Sequence, residues 1–313
     1  MNYDMRSQLM RIFLTGGTGY IGAAVLDALV RAGHDVTALV RTNEKARRVA
    51  KRGAHPVIGN LAEPESYRAA AEAQDGYIHT AFDSRHGPTV EQKALETLLA
   101  AAKRPRTAGS TMPARRFLIY TSGVWVLGRT PEPAAENSPV NPIDHVSWRP
   151  GHERLVLEAG DSLRTMVVRP GVVYGSGDGI VSELFKAASN GLVHVVGDGN
   201  NHWPLVYDRD LADLYARLAG RDDASGVYHA NDEGDERVND IVDAIRPHLS
   251  VKPDVRHVPL DEARTKMGAY AEALALDQVV RSPRARALGW SPVLHSVSGN
   301  AARLLEEWRA TRN

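Results

Sequence analysis

The chain has no cysteine among its 313 residues, which excludes disulfides, thiolate metal sites and thiol catalysis. It also lacks net charge, with Lys+Arg and Asp+Glu balanced at 38 each. Non-specific nucleic-acid binding needs a basic surface to neutralise phosphates, so nucleic acid is not an expected partner. The dense basic run, Lys103-Arg104-Pro105-Arg106 through Arg115-Arg116, is diluted by Pro, Gly, Ser and Thr and reads as a solvated insertion loop. No apolar stretch approaches membrane-spanning length. Residues 1–10 lack the apolar centre of a secretory signal. A cytoplasmic protein without membrane contact is expected. The twelve histidines show neither H-x-x-x-H nor H-E-x-x-H spacing, so no metal site is predicted.

What is present begins near the N-terminus. Met10-Arg-Ile-Phe-Leu-Thr-Gly-Gly-Thr-Gly-Tyr-Ile-Gly22 reads as a buried strand, a glycine loop and the start of a helix. Gly16, Gly19 and Gly22 fall at G-x-x-G-x-x-G spacing. Ile21, Ala24, Val25, Ala28, Leu29 and Ala32 then follow a helical rhythm, and Gly33 stands where a C-terminal helix glycine belongs. Glycines let the backbone turn tightly and approach a pyrophosphate. The helix N-terminus offers N–H groups and a positive dipole end to the anion. The arrangement predicts a dinucleotide site built on Gly16, Thr18, Gly19, Tyr20 and Ile21.

Further strand-like runs follow at Val36–Val40, Pro56–Ile58, Tyr77–Ala81, Phe117–Ser122 and Thr165–Arg169, separated by helix-length segments. This alternation predicts an α/β fold with a doubly wound parallel sheet. Ligands of such sheets bind beyond the carboxyl ends of the strands, where Gly19, Arg41, Ala81, Ser122 and Pro170 all fall. Past Tyr174 the pattern changes to a smaller, mainly helical C-terminal lobe. The expected division is a nucleotide-binding domain over 10–175, with return segments over 205–231, and a substrate lobe over 176–204 and 232–313. Leu205–Tyr207 and Gly226–Ala230 are expected to rejoin the main sheet, and the chain from Arg237 onward to be mainly helical.

Arg41 ends the second strand, about 20 residues beyond Gly22, where NAD-preferring sites carry an acid for the ribose hydroxyls. No Asp or Glu lies between Val36 and Asn43. Arginine pairs bidentately with a phosphate, so NADP is expected over NAD.

Five landmarks in order resemble the extended short-chain dehydrogenase/reductase superfamily, the group of nucleotide-sugar epimerases and dihydroflavonol reductases. They are Thr15-Gly-Gly-Thr-Gly-Tyr-Ile-Gly22, Tyr120-Thr-Ser-Gly123, Arg169-Pro-Gly-Val-Val-Tyr-Gly175, Val206-Tyr-Asp-Arg-Asp-Leu-Ala212 and Leu288-Gly-Trp-Ser-Pro292. The resemblance implies a Rossmann domain with a substrate lobe. It places Asn60 and Leu61 beside the adenine and Thr80, Ala81 and Phe82 at the ribose–nicotinamide linkage. Pro170, Val172 and Val173 would back the nicotinamide, and Ser122 would bind the substrate oxygen. Dimerisation through two helices is also a habit of this superfamily, so a homodimer is an expectation by analogy.

The chemistry departs from the family pattern. Where the family's catalytic Tyr-x-x-x-Lys belongs, this chain has Trp148-Arg-Pro-Gly-His152. An indole N–H donates only and does not titrate in water, so Trp148 is expected as a pocket wall rather than as the acid. His152 would hold the ribose in lysine's place or shuttle a proton, the alternative being a solvated first-turn residue beside Glu153. His145 and Tyr174 are the nearest titratable stand-ins for the missing acid. Trp125 and Trp203 are expected on the substrate side. Nucleotide-sugar epimerases commonly carry an arginine where this chain has His202-Trp203-Pro204, so the pocket suits an apolar or aromatic molecule. The expected activity is an atypical NADP(H)-dependent oxidoreductase acting on a small carbonyl or alcohol. The alternatives are an isomerase that transiently reduces its nicotinamide, and a non-catalytic NADPH sensor.

Overall fold

The computed structural model describes residues 9–83, 87–104, 115–160 and 163–312. The basic segment read as a solvated loop falls mostly on 105–114, outside the described residues. In chain order the strands are β1 (Arg11–Thr15), β2 (Asp35–Val40), β3 (His55–Ile58), β4 (Gly76–His79), β5 (Phe117–Thr121), β6 (Arg164–Pro170), β7 (Val172–Tyr174), β8 (Leu192–Val196), β9 (His202–Trp203), β10 (Leu205–Tyr207), β11 (Gly226–Ala230), β12 (Glu236–Arg237) and β13 (Asp254–Val258). The first five α-helices are α1 (Tyr20–Arg31), α2 (Asn43–Ala50), α3 (Arg68–Glu72), α4 (Gly87–Lys103) and α5 (Arg149–Leu157).

Seven strands form the main sheet in the order β11-β6-β5-β4-β1-β2-β3. Parallel pairing joins β1 to β2 and β4, β2 to β3, β4 to β5, and β5 to β6. β1 is buried from Ile12 to Thr15, as a strand covered on both faces must be. The winding direction reverses between β1 and β4. Such sheets bind ligands in the crevice beyond the carboxyl ends of the strands at this switch point.

The chain forms two compact units. The first has the bounds Met1–Thr121, Gly151–Val168 and Ala212–Val227; the second is Ser122–Pro150, Arg169–Leu211 and Tyr228–Asn313. In the first unit, Phe13, Tyr77, Leu118 and Tyr120 from the strands pack with Leu95, Leu98 and Leu99 of α4 and Val156 of α5. In the second, a core of Tyr174, Phe185, Trp203, Ile241, Leu304 and Trp308 joins strand and helix side chains.

One expectation from the sequence is corrected in the second unit. Leu205–Tyr207 does not rejoin the main sheet; it pairs in parallel with β7 as a separate two-stranded sheet. The chain leaves the main sheet at Pro170, and the Val172 amide donates to the Pro204 carbonyl at 2.6 Å, which sets this new pairing. Within the mainly helical C-terminal region, Asp254–Val258 is a strand that pairs in parallel with β8. Its exposed Arg256 and His257 hid the strand from a hydrophobicity pattern. Among the described residues, no helix is long and apolar enough to cross a membrane.

Candidate functional site

The glycine loop is shaped by two close approaches. Gly16 has φ +79°, and a Cβ there would stand 2.6 Å from the Ala81 amide nitrogen. A Cβ at Gly22 would overlap the Gly16 carbonyl oxygen and stand 2.5 Å from Thr80 Oγ1. Only glycines bring α1 this close to the ends of β1 and β4. Thr80 ties the two strand ends together, its Oγ1 donating to the Thr15 carbonyl at 2.8 Å. Gly19 precedes α1 without a side-chain cap, and the first turn holds no acid. The positive end of a 12-residue helix therefore faces the loop unopposed by a carboxylate of its own.

A cavity of about 180 Å³ opens over these strand ends within the first unit. Gly16, Thr18 and Gly19 line it from the glycine loop, Arg41 from the end of β2, Asn60 and Leu61 after β3, and Thr80, Ala81 and Phe82 after β4. The structure thus brings together most of the residues expected around a dinucleotide. Tyr20 and Ile21 are half-buried in the first turn of α1 and do not line the cavity. Lys45, which the sequence reading missed, lines it beside Arg41. Thr42 caps α2 by accepting the Lys45 amide at 3.2 Å, which places that lysine in the first turn facing the same opening. A basic residue four positions after a strand-end arginine was the available signal. Asn60 is engaged locally: its Oδ1 accepts from the Ala62 amide and its Nδ2 donates to Glu63.

Beneath the cavity runs a row of strand-end residues. Thr15 pairs with His79, and His79 with Tyr120, across β1, β4 and β5. Thr15 Oγ1 lies 2.8 Å from His79 Nδ1. Tyr120 donates to Glu91 Oε2 at 3.0 Å, and the same oxygen is 2.8 Å from His152 Nδ1. His152 is only 6% exposed and Glu91 3%, so His152 is not the solvated first-turn residue considered as an alternative, and Glu153 beside it is buried too. Glu91 escaped the sequence reading. Its signal is a carboxylate inside the apolar stripe Val90, Ala94, Leu95 and Leu98 of α4.

The remaining expected residues lie in the second unit. Ser122 follows β5, and its buried Oγ has no hydrogen-bond partner among the described residues. Trp148 is half-buried just before α5, with the Arg149 guanidinium 5.6 Å from its ring centroid. Pro170 ends β6; Val172 is buried and Val173 half-buried in β7. Trp125, His145 and Tyr270 form an aromatic group, with centroids 5.4–6.3 Å apart. Burial, with Arg149 nearby, lowers the His145 pKa.

Trp203 corrects the expectation of a substrate-side residue. It is a core side chain whose Nε1 donates to the Leu274 carbonyl at 3.1 Å. Tyr174 is fully buried, with its hydroxyl 3.3 Å from both Asp232 Oδ2 and the Leu294 carbonyl. Burial, then the charges of Asp232, Glu236 and Asp210, push that phenol far above its ordinary range, so it belongs to the scaffold. Among the described residues, no cluster of three or more His, Asp or Glu side chains could hold a metal ion.

The chain is 32% identical to an uncharacterized protein of Schizosaccharomyces pombe over 90% of its own length and 95% of the relative's. It is 28% identical to the 4-hydroxy-2-methyl-3-oxo-4-farnesyl-3,4-dihydroquinoline-1-oxide ketoreductase of Stigmatella aurantiaca, over 82% of this chain and 78% of that one. Its fold matches the crystal structure of the human epimerase family protein SDR39U1 with NADPH at a TM-score of 0.75 and 22% identity, covering 95% and 99% of the two chains. Residues 12–230 match the model of the NAD dependent epimerase/dehydratase family. The chain belongs to that family, within the extended short-chain dehydrogenase/reductase superfamily.

Proposed function

We propose that the protein is an NADP(H)-dependent oxidoreductase that reduces a small apolar or aromatic carbonyl compound, or oxidises the corresponding alcohol. The observation that carries this reading is a pair of cations, Arg41 and Lys45, lining the cavity where β2 ends. A ribose 2′-phosphate carries about two negative charges and needs such partners; a free 2′-hydroxyl needs an acceptor. The only carboxylate among the lining residues is Asp83, beyond β4.

The residues fit the coenzyme. The cradle at Gly16, where a side chain would collide with Ala81, leaves bare main chain for a pyrophosphate, and α1 points its N-terminus at it. Asn60 and Leu61 would border the adenine end, and Thr80, Ala81 and Phe82 the ribose. The bound nicotinamide would supply or accept the hydride. Ser122 Oγ, buried and without a hydrogen-bond partner among the described residues, would hydrogen-bond the reacting oxygen. The aromatic group of Trp125, His145 and Tyr270 within the second unit supports an apolar or aromatic substrate. The Stigmatella relative is named a ketoreductase and the human neighbour holds NADPH, and both support this assignment.

Trp148 and His152 stand where the family pattern has Tyr and Lys, so proton transfer falls to a group other than a phenol. Loss of acid–base help costs about 100- to 10,000-fold, whereas preorganised donors retain much of the remaining acceleration. Slow turnover follows. Titration of protein fluorescence with NADPH and NADH, then a panel of aromatic and aliphatic ketones, tests the reading. Tighter NADPH binding with ketone-dependent NADPH oxidation is expected. Cofactor binding without turnover on any carbonyl or alcohol would refute an oxidoreductase.

A further inference from the structure

The buried polar chain under the cavity has a direction. Thr15, His79 and Tyr120 are register partners across three strands, and the residues that follow the first two, Gly16 and Thr80, line the nucleotide cavity. The Tyr120 ring lies between His79 and His152, at centroid distances of 6.2 and 6.4 Å. The Tyr120 hydroxyl and His152 Nδ1 meet one oxygen of Glu91, at 3.0 and 2.8 Å. Packing gives no reason for a carboxylate here. Removing it from water costs several kcal/mol unless donors compensate it, and an apolar side chain would continue the stripe of Val90, Ala94 and Leu95.

With Glu91 ionised, its oxygen can only accept, and the proton in the Glu91–His152 bond belongs to Nδ1. Neutral His152 is then the Nδ1–H tautomer with its lone pair on Nε2. Glu91 engages Nδ1, which leaves Nε2 on the opposite side of the ring. His152 sits in the first turn of α5, against the strand-end row one residue behind the cavity lining.

We infer that Glu91, supported by Tyr120, is a positioning residue that fixes His152 so that Nε2 exchanges the proton of the proposed reaction, on which this inference rests. In the reducing direction the carbonyl carbon gains a hydride from a reduced nicotinamide dinucleotide, and the C=O π pair moves onto oxygen. That oxygen takes the proton from Nε2 of the imidazolium, giving an alcohol and an oxidised nicotinamide. His152 is left neutral, its Nδ1–H still on Glu91, and solvent returns the proton to Nε2. The oxidising direction runs the same exchange backwards.

Long-range ¹H–¹⁵N spectra of the full-length protein test this, with His152→Gln assigning the ring signals. Wild type is expected to show a protonated Nδ1 and a lone pair on Nε2. Glu91→Gln retains an acceptor oxygen and keeps that tautomer, whereas Glu91→Met spreads His152 over both. In Glu91→Met, kcat on any ketone the wild type reduces should fall about 100-fold with NADPH affinity unchanged. An Nε2–H tautomer in wild type, or an unaltered ring in folded Glu91→Met, overturns the inference. If Glu91→Met does not fold, the wild-type spectrum still decides. Saturating NADPH, with binding confirmed by calorimetry, should move the Nε2 signal, and bound NADPH without movement would place Nε2 away from the reaction. Failure of NADPH to bind would instead sink the proposed function and leave the tautomer result unaffected.

Discussion

Replacing Asp232 with Asn should make the protein more stable, by an amount that grows with pH. Asp232 is 3% exposed, and burial, followed by the nearby Glu236, pushes its pKa from an ordinary 3.8 up to about 8. The folded state therefore binds a proton that the unfolded chain releases between about pH 4 and pH 8. Stability falls as pH rises through that window, by up to about 1.4 kcal/mol per unit, or roughly 4 kcal/mol between pH 5 and pH 8. The contacts make Asn a fair copy of the protonated acid. Oδ1 accepts from the Gly234 amide at 3.0 Å, and Oδ2 faces the Tyr174 hydroxyl at 3.3 Å. An Asn Nδ2–H can donate to that hydroxyl, which in turn donates to the Leu294 carbonyl. Thermal melts of both proteins from pH 5 to pH 8 should nearly coincide at the acid end. They should separate by about 8 °C at the alkaline end, at roughly 2 °C per kcal/mol for a chain of this size. A gap that is constant with pH, or that closes as pH rises, would refute the reasoning.

Gly22→Ala should lose nucleotide binding and about 1–3 kcal/mol of stability, because its methyl overlaps the Gly16 carbonyl and must push α1 off β1. Calorimetry and a denaturant melt on the same sample would read both effects, and near-normal binding would contradict the close approach. Trp203→Ala should cost about 3–5 kcal/mol, as for other large core aromatics, and leave NADPH affinity unchanged. Weakened nucleotide binding in a folded Trp203→Ala protein would restore it to the site. Ser122→Ala should fold normally, since among the described residues its Oγ has no partner to lose, and lower kcat with little change in cofactor affinity. Unchanged turnover would remove Ser122 from the reaction.

The nucleotide half of the site was legible because its requirements are local. Gly16, Gly19 and Gly22 announce a loop, β1 and α1 announce themselves by apolar periodicity, and Arg41 follows from counting past Gly22. Each of these sits within one strand–turn–helix unit, where sequence distance and spatial distance agree. Glu91 and His152 do not, being 61 positions apart and joined only by the packing of α4 and α5 over the strand ends. A single carboxylate in an apolar helix stripe was the visible trace. Trp203 was misread for the opposite reason. Its place in His202-Trp203-Pro204, where nucleotide-sugar epimerases carry an arginine, pointed to the substrate side by resemblance, but Val181, Phe185 and Val193 from distant segments share its core. The strand Asp254–Val258 went unseen because Val255 and Val258 are only half-buried, too weak a pattern to read as a strand.

Isothermal titration of NADPH and NADH into wild type and into an Arg41→Ala/Lys45→Ala protein addresses the central claim most directly. With roughly 1.4 kcal/mol for each exposed charge-assisted contact, the double variant should lose about 100-fold in NADPH affinity. NADH affinity should change little. A wild type that prefers NADH, or a variant that weakens both nucleotides equally, would contradict a 2′-phosphate site at the end of β2.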